Sequence, residues 1–334
     1  MDTLLLKEED LKGLLTMEED IMVCDRTYAD LALGNTVNPT KVVLNLGETQ
    51  PTKLPYNAFI NAMPAYIGWL DIAGMKWIGG FKNGRLKAGK PYINALTILL
   101  EPDMGDFLAV MEGTVLSTLR TGAQSAVALK YLMPGKTHGI FGIYGAGRQG
   151  RGQARALAAA YHVDKLVVYD PVPGAAEKFK QDMADVIQGE IVVAKDISEP
   201  AQTDAFITVT AADDRFLKSE WIEKGTVHLG LGTYTEAEEK VFTDADVLVV
   251  DHIGQALHRG NLKAFVDAGV ISEKDVTCTV GELAAGQKDL GDLSNKRVSA
   301  AIIGLGCLDV ASCGLAYKNA IKAGVGQTFR FTEA

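Results

Sequence analysis

The residues of this 334-residue sequence whose types and spacing could do chemistry are three cations and a glycine-rich loop. Lys76 lies in Gly74-Met75-Lys76-Trp77, among apolar neighbours on what should be a largely buried strand. A lysine there is unfavourable unless it meets an anion or is tuned for chemistry. Arg120 shares a helical period with Leu116, Leu119, Ala123 and Val127, so its guanidinium is expected to point into a cleft. Arginine suits a carboxylate, which it grips through two parallel hydrogen bonds. Lys41, in Asn38-Pro39-Thr40-Lys41, adds a third positive charge. Taken singly, each cation is equally explained by a surface salt bridge or by an apolar stem lying along the surface.

The loop is Gly145-Ala146-Gly147-Arg148-Gln149-Gly150, a G-x-G-x-x-G. It follows the apolar run Ile140 to Tyr144 and opens a helical stretch, and Asp170 stands twenty residues beyond Gly150 at the end of the next apolar run. In that setting the pattern is a dinucleotide-binding fingerprint. Gly145 permits the tight turn, Gly147 lets the backbone approach a pyrophosphate, and Gly150 lets helix and strand pack closely. The helix N-terminus offers free N–H groups and the positive end of its dipole. Asp170 is placed to accept ribose hydroxyls and to repel a 2′-phosphate, which favours NAD (NADH) over NADP. Two alternatives stay open: Asp170 only caps the turn before Pro171, and Arg148 leaves room for the extra phosphate of NADP.

Two kinds of element must position these residues. From His138 to Val250, short β-branched runs alternate with helical stretches. Strands are expected at Ile140 to Tyr144, Leu166 to Tyr169, Ile191 to Val193, Ala205 to Val209, Val227 to Leu229 and Val247 to Val250, with a helix from Gln149 to Tyr161. This alternation implies an α/β fold, a doubly wound parallel sheet covered on both faces. The first 130 residues read as α+β: a helix from Glu9 to Leu33, strands around Ala62 to Tyr66, Met75 to Ile78 and Ile93 to Leu100, a hairpin turn at Pro102 to Gly105, and a helix from Gly113 to Leu132. Pro134-Gly135 marks a hinge, and Ala300 to Ala323 reads as a helix that returns to the first domain. The expected domains are therefore 1–132 together with 300–334, and 133–299.

Composition narrows the field. A net charge of −9 ill suits nucleic-acid wrapping, which needs surplus Lys and Arg. Cys24, Cys278, Cys307 and Cys313 form no CxxC pair and have no metal-ligand spacing with a histidine, so no metal site is expected, and buried thiols of a cytoplasmic protein are. No run is apolar enough to span a membrane, and the first residues are too charged for a signal peptide.

Met63-Pro64-Ala65-Tyr66, Gly74-Met75-Lys76-Trp77, Asp103-Met104-Gly105, Leu119-Arg120-Thr121-Gly122-Ala123, the glycine loop and Gly304-Leu305-Gly306-Cys307-Leu308-Asp309 occur in an order that resembles the ornithine cyclodeaminase/mu-crystallin family, from about Pro39 to Gly326. The resemblance implies a Rossmann domain beside a substrate-binding and dimerisation domain, hence a homodimer. It implies Lys76 and Arg120 as catalytic and substrate-carboxylate cations, with Lys41 where relatives usually carry an arginine. The nucleotide contacts it implies are Thr121, Gly145, Ala146, Gly147, Arg148, Gln149, Gly150, Asp170, Thr210, Gly232 and Gly304. One departure stands out: relatives commonly read Gly-x-Asp after the fifth Rossmann strand, with the Asp as acid/base, whereas this chain reads Gly232-Thr233-Tyr234. Tyr234 or Lys76 is then the expected proton donor, or Tyr234 merely lines the nicotinamide edge. The implied function is an NAD(P)-dependent reductase or dehydrogenase moving hydride to or from the α-carbon of a small imino, keto or amino acid. Alternatives are an ornithine cyclodeaminase-like ammonia lyase with catalytic NAD and a non-catalytic ligand-binding protein. His228, close to Gly232 in sequence, is expected to be structural or to approach the nicotinamide.

Overall fold

The computed structural model describes residues 1–47, 54, 56–212 and 214–333, which divide into two compact units. One comprises Met1–Arg120 and Leu305–Ala334, the other Thr121–Gly304.

In the first unit, β1 (Asp2–Leu6), β2 (Thr36–Val37), β3 (Val42–Asn45), β4 (Ala58–Ile67), β5 (Ile72–Phe81), β6 (Ile93–Leu100) and β7 (Phe107–Glu112) form one sheet with a tail strand, Gln327–Arg330. β4 to β7 make an antiparallel meander, β1 joins β7 in parallel, and the tail strand pairs with β1. Two-residue periodicity sends alternate side chains of β5 to opposite faces, so Lys76 is buried while Trp77 is exposed. The buried face carries the C-terminal helix, Gly306–Ala323, and α1 (Met17–Ala32) packs against that helix and β2. A Cβ on Gly306 would lie 2.9 Å from the Met63 carbonyl oxygen, so glycine is what lets that helix begin so close to β4.

The helix expected over Glu9 to Leu33 is two. A short one, Glu8–Leu11, ends near Gly13, whose φ of +77° breaks the run. Thr16 and Glu19 then cap each other's backbone N–H groups and restart the chain as α1. α2 (Thr114–Leu132) follows β7.

In the second unit, β8 (His138–Tyr144), β9 (His162–Tyr169), β10 (Glu190–Val193), β11 (Ala205–Thr208), β12 (Val227–Leu231), β13 (Val247–Val250), β14 (Cys278–Thr279) and β15 (Val298–Ile302) form an all-parallel sheet. Its order is β10-β9-β8-β11-β12-β15-β13-β14, so strand order reverses beside β8. α3 (Arg148–Ala160) carries the chain from β8 to β9. The fold is thus a Rossmann-type doubly wound sheet accompanied by an α+β unit. One expectation fails here: Ala300 to Ile302 are strand, not helix. β15 is buried along its whole length between β12 and β13, and a short apolar run buried on both faces has no period to tell strand from helix. Pro134-Gly135 is the turn joining α2 to β8, and the division between units falls earlier, at Arg120/Thr121 inside α2.

Candidate functional site

In the second unit the nucleotide candidates line one edge of the sheet. Gly145, Asp170 and Gly232 each follow the last residue of β8, β9 and β12, and Thr210 and Gly304 lie two residues past β11 and β15. Open parallel sheets bind ligands outside these carboxyl ends, where strand order reverses. Gly145 has φ +105° and donates its N–H to the Tyr169 carbonyl at 2.9 Å. A Cβ on Gly150 would stand 1.9 Å from the Gly145 carbonyl oxygen, so only glycine lets α3 start so close to β8. Gly147, by contrast, faces open space, and as the N-cap of α3 it brings no side-chain cap. Arg148 is exposed and Gln149 half-buried beside it. Uncapped N–H groups at an open, side-chain-free turn fit a pyrophosphate.

The loop is braced from two sides. Ala146 donates its N–H to Asp170 Oδ2 at 2.8 Å, while Asp170 Oδ1 accepts from the Val172 N–H at 2.9 Å. Asp170 therefore does cap its turn, and each oxygen keeps a second lone pair for another donor. Arg151 donates to the Ala146 carbonyl and is held by Asp182 at 2.7 Å. Thr121, on α2, accepts from Gln153 Nε2 through its carbonyl oxygen at 3.0 Å, and the Gly304 N–H donates to Asp251 at 2.6 Å.

Sequence reasoning missed Glu236. It is fully buried, and its Oε1 accepts from both the N–H and the hydroxyl of Thr210 at 2.6 Å. Its own N–H donates to Asn261 Oδ1 at 2.8 Å. Burial pushes its carboxyl up to about 7, against the pull of the Thr210 hydrogen bonds. Nothing in the sequence separates it from the neighbouring Glu238 and Glu239. Tyr234 sits half-buried in the same loop after β12. His228 is a core residue: it stacks on Phe206 at 4.9 Å, packs against Phe242, and burial pushes it down to about 3, so it stays neutral.

In the first unit, Lys76 and Arg120 converge on a carboxylate to which the sequence reading gave no role. Asp309, on the C-terminal helix, takes Lys76 Nζ on Oδ2 at 2.7 Å and Arg120 Nε on Oδ1 at 2.8 Å. Ser117 Oγ accepts from Lys76 at 3.0 Å and from Arg120 Nη2 at 3.3 Å. All three charged groups are buried, and the Arg120 guanidinium is engaged in an ion pair. Burial, reinforced by the charge of Arg120, pushes Lys76 down to about 8. Burial also works against the charge of Asp309, but Arg120 and Lys76 more than reverse it and hold the carboxyl below its ordinary range. The available signal was an acidic residue inside the small and apolar run Gly306 to Ala316, where a carboxylate must find cations. Lys41 is 8% exposed, just before β3.

Among the described residues no three His, Cys, Asp or Glu side chains gather as a metal site, and no helix is long and apolar enough to cross a membrane. The model of the ornithine cyclodeaminase/mu-crystallin family matches residues 1–323. The chain belongs to that family. It is 32% identical over 336 residues to alanine dehydrogenase of Archaeoglobus fulgidus, covering 99% of each chain. A solved archaeal alanine dehydrogenase dimer with bound NAD superposes with a TM-score of 0.89 at 32% identity, over 99% of this chain and all of that one. The Δ1-pyrroline-2-carboxylate reductase of Thermococcus litoralis, solved with NADH and L-proline, gives a TM-score of 0.89 at 30% identity, over 97% and 99%. Membership of the ornithine cyclodeaminase/mu-crystallin family thus rests on the whole chain, both units included.

Proposed function

We propose that the protein is an NAD(H)-dependent reductase or dehydrogenase acting at the α-carbon of a small imino, keto or amino acid. The observation that carries this reading is the buried cluster in which two cations, Lys76 and Arg120, share the carboxylate of Asp309, a sum of charges within the cluster that suits a substrate carboxylate. In this reading Ala146, Gly147, Arg148 and Gln149 hold the pyrophosphate, with Gly145 and Gly150 shaping the turn. Asp170 takes the ribose and disfavours NADP, and Thr121, Thr210, Gly232 and Gly304 complete the nucleotide's surroundings. When bound, the nicotinamide supplies or accepts the hydride.

Arg120, assisted by Lys41, holds the substrate carboxylate. Lys76, pushed down to about 8, gives up a proton near neutral pH and serves as donor to the imine nitrogen or keto oxygen. Tyr234 is the second candidate donor. The relatives support the same class of reaction, since both similar enzymes are named for the chemistry of a small α-amino or α-imino acid.

A homodimer is part of the proposal. The register aligns Val42, Ala62, Trp77 and Leu96 across β3 to β6, and three of these apolar residues are more than half exposed, Val42 at 67%, Trp77 at 53% and Leu96 at 51%. A second copy covering this face would remove an apolar patch from water. The cytoplasm is the proposed compartment, on four buried cysteines that form no disulfide among the described residues.

The test is NADH consumption with pyruvate or glyoxylate plus ammonia or amines, and with cyclic ketimines. Steady NADH oxidation with a member of this panel is expected. Ammonia release from ornithine without net NADH change would instead make it a cyclodeaminase, and NADH binding with no turnover a binding protein.

A further inference from the structure

Behind the cation cluster, α1 places a second carboxylate that the function above does not use. Asp20 is 0% exposed, and its Oδ2 has no hydrogen-bond partner among the described residues. Its Oδ1 lies 2.5 Å from Ser312 Oγ on the C-terminal helix, and the same Oγ lies 2.8 Å from the Leu308 carbonyl oxygen. Each of these oxygen–oxygen contacts needs a proton between its atoms. Serine brings one, and a backbone carbonyl brings none. If the Ser312 proton goes to Leu308, Asp20 must supply the other. If it goes to Asp20, the contact with Leu308 holds two bare acceptors at hydrogen-bonding distance. Only a protonated Asp20, donating to Ser312 while Ser312 donates to Leu308, satisfies both.

We propose that Asp20 is a neutral carboxylic acid in the folded protein, and that its proton keeps the Lys76–Asp309–Arg120 cluster one positive charge in excess for an anionic substrate. The second half rests on the function proposed above. With Asp20 ionised, two carboxylates would face two cations and the excess would vanish. The groups that bear on Asp20 are Ser312, Asp309 and Cys313 on the C-terminal helix, Arg120 on α2 and Cys24 on its own helix. Burial pushes Asp20 up to about 7, Asp309 adds to that, and Ser312 and Arg120 oppose it. The first turns of α1 favour a negative charge through the helix dipole, but among the described residues no donor reaches Oδ2 to stabilise one.

Two measurements on the full chain test the proton. Infrared spectra near pH 6 are expected to show a carboxylic-acid carbonyl band that Asp20→Asn removes and Glu236→Gln leaves in place. In the wild-type protein labelled with 13C at the aspartate carboxyls, one carboxyl should titrate at about 7. The second needs no variant and so does not depend on Asp20→Asn folding. No band lost on substitution, or every aspartate titrating in the ordinary carboxylate range, overturns the proposal.

Pyruvate binding to the NAD-loaded protein tests the excess charge. Between about pH 6 and pH 8, wild-type affinity should fall about tenfold more than that of Asp20→Asn, the equivalent of one pKa unit of coupling. Equal pH profiles overturn the electrostatic half. Absence of pyruvate binding in both forms would overturn the substrate reading and that half with it, while the carboxyl measurements still decide the proton.

Discussion

Replacing Asp309 with asparagine removes one charge at nearly constant volume and leaves Lys76 and Arg120 buried beside the Ser117 hydroxyl without the carboxylate they share. At an effective dielectric of about 20, two charges some 4 Å apart attract by about 4 kcal/mol. The variant forfeits two such attractions and regains the several kcal/mol spent desolvating the carboxylate. Breaking a buried pair by removing one partner costs about 3–5 kcal/mol, and that is the expected loss near pH 6. Lys76 can relieve part of it by losing its proton. Already pushed down to about 8, it falls further without Asp309. A lysine whose folded pKa lies below its unfolded value of 10.5 binds fewer protons folded than unfolded, so stability rises with pH through the folded pKa. In the variant this rise begins at lower pH than in the wild type, so the deficit should narrow between about pH 6 and pH 8. Urea unfolding of both proteins at the two pH values measures this. Adding Lys76→Met to Asp309→Asn should recover stability at pH 6. A deficit below about 1 kcal/mol, or one that does not change with pH, would show that Asp309 is not the counter-ion of this cluster.

The two glycines of the loop separate packing from ligand contact. Gly150→Ala meets backbone at 1.9 Å and should lower the melting temperature as well as NADH affinity, whereas Gly147→Ala meets nothing and should leave melting unchanged while weakening NADH binding by tenfold or more, read by fluorescence titration. Unchanged NADH affinity in Gly147→Ala would move the pyrophosphate elsewhere. Asp170→Ala should reduce the preference for NADH over NADPH in steady-state kinetics, and an unaltered preference would leave Asp170 with only its bonds to Ala146 and Val172. Glu236, pushed up to about 7, keeps its proton in the folded state after the unfolded chain has lost it, so its contribution to stability falls as pH rises from its ordinary 4.5 towards 7. In Glu236→Gln the fall in melting temperature over that range should be shallower, and an identical slope would mean that the buried acid titrates normally.

The glycine loop was legible because everything it requires is local. Strand, turn, helix start and the acidic residue after the next strand lie within Ile140 to Asp170, and each glycine answers a backbone constraint within that stretch. The alternating strands of the second unit and three strands of the first, around Ala62 to Tyr66, Met75 to Ile78 and Ile93 to Leu100, were legible for the same reason, since side-chain period is a short-range property. Lys76 could be flagged because a cation among apolar strand residues is a local anomaly. Its partner could not be found this way. Arg120 and Asp309 are 189 positions apart, and Asp20 and Ser312 are 292 apart. β15 likewise looks like the start of a helix until the sheet inserts it between β12 and β13. The sequence by itself determined the nucleotide fingerprint, the alternation of elements and which cations were candidates for the site. Tertiary structure alone decided which carboxylate neutralises them, which acid keeps its proton, and which apolar face stays exposed. Those outcomes depend on desolvation and on charges brought together across the chain, and neither is encoded in the spacing of neighbouring residues.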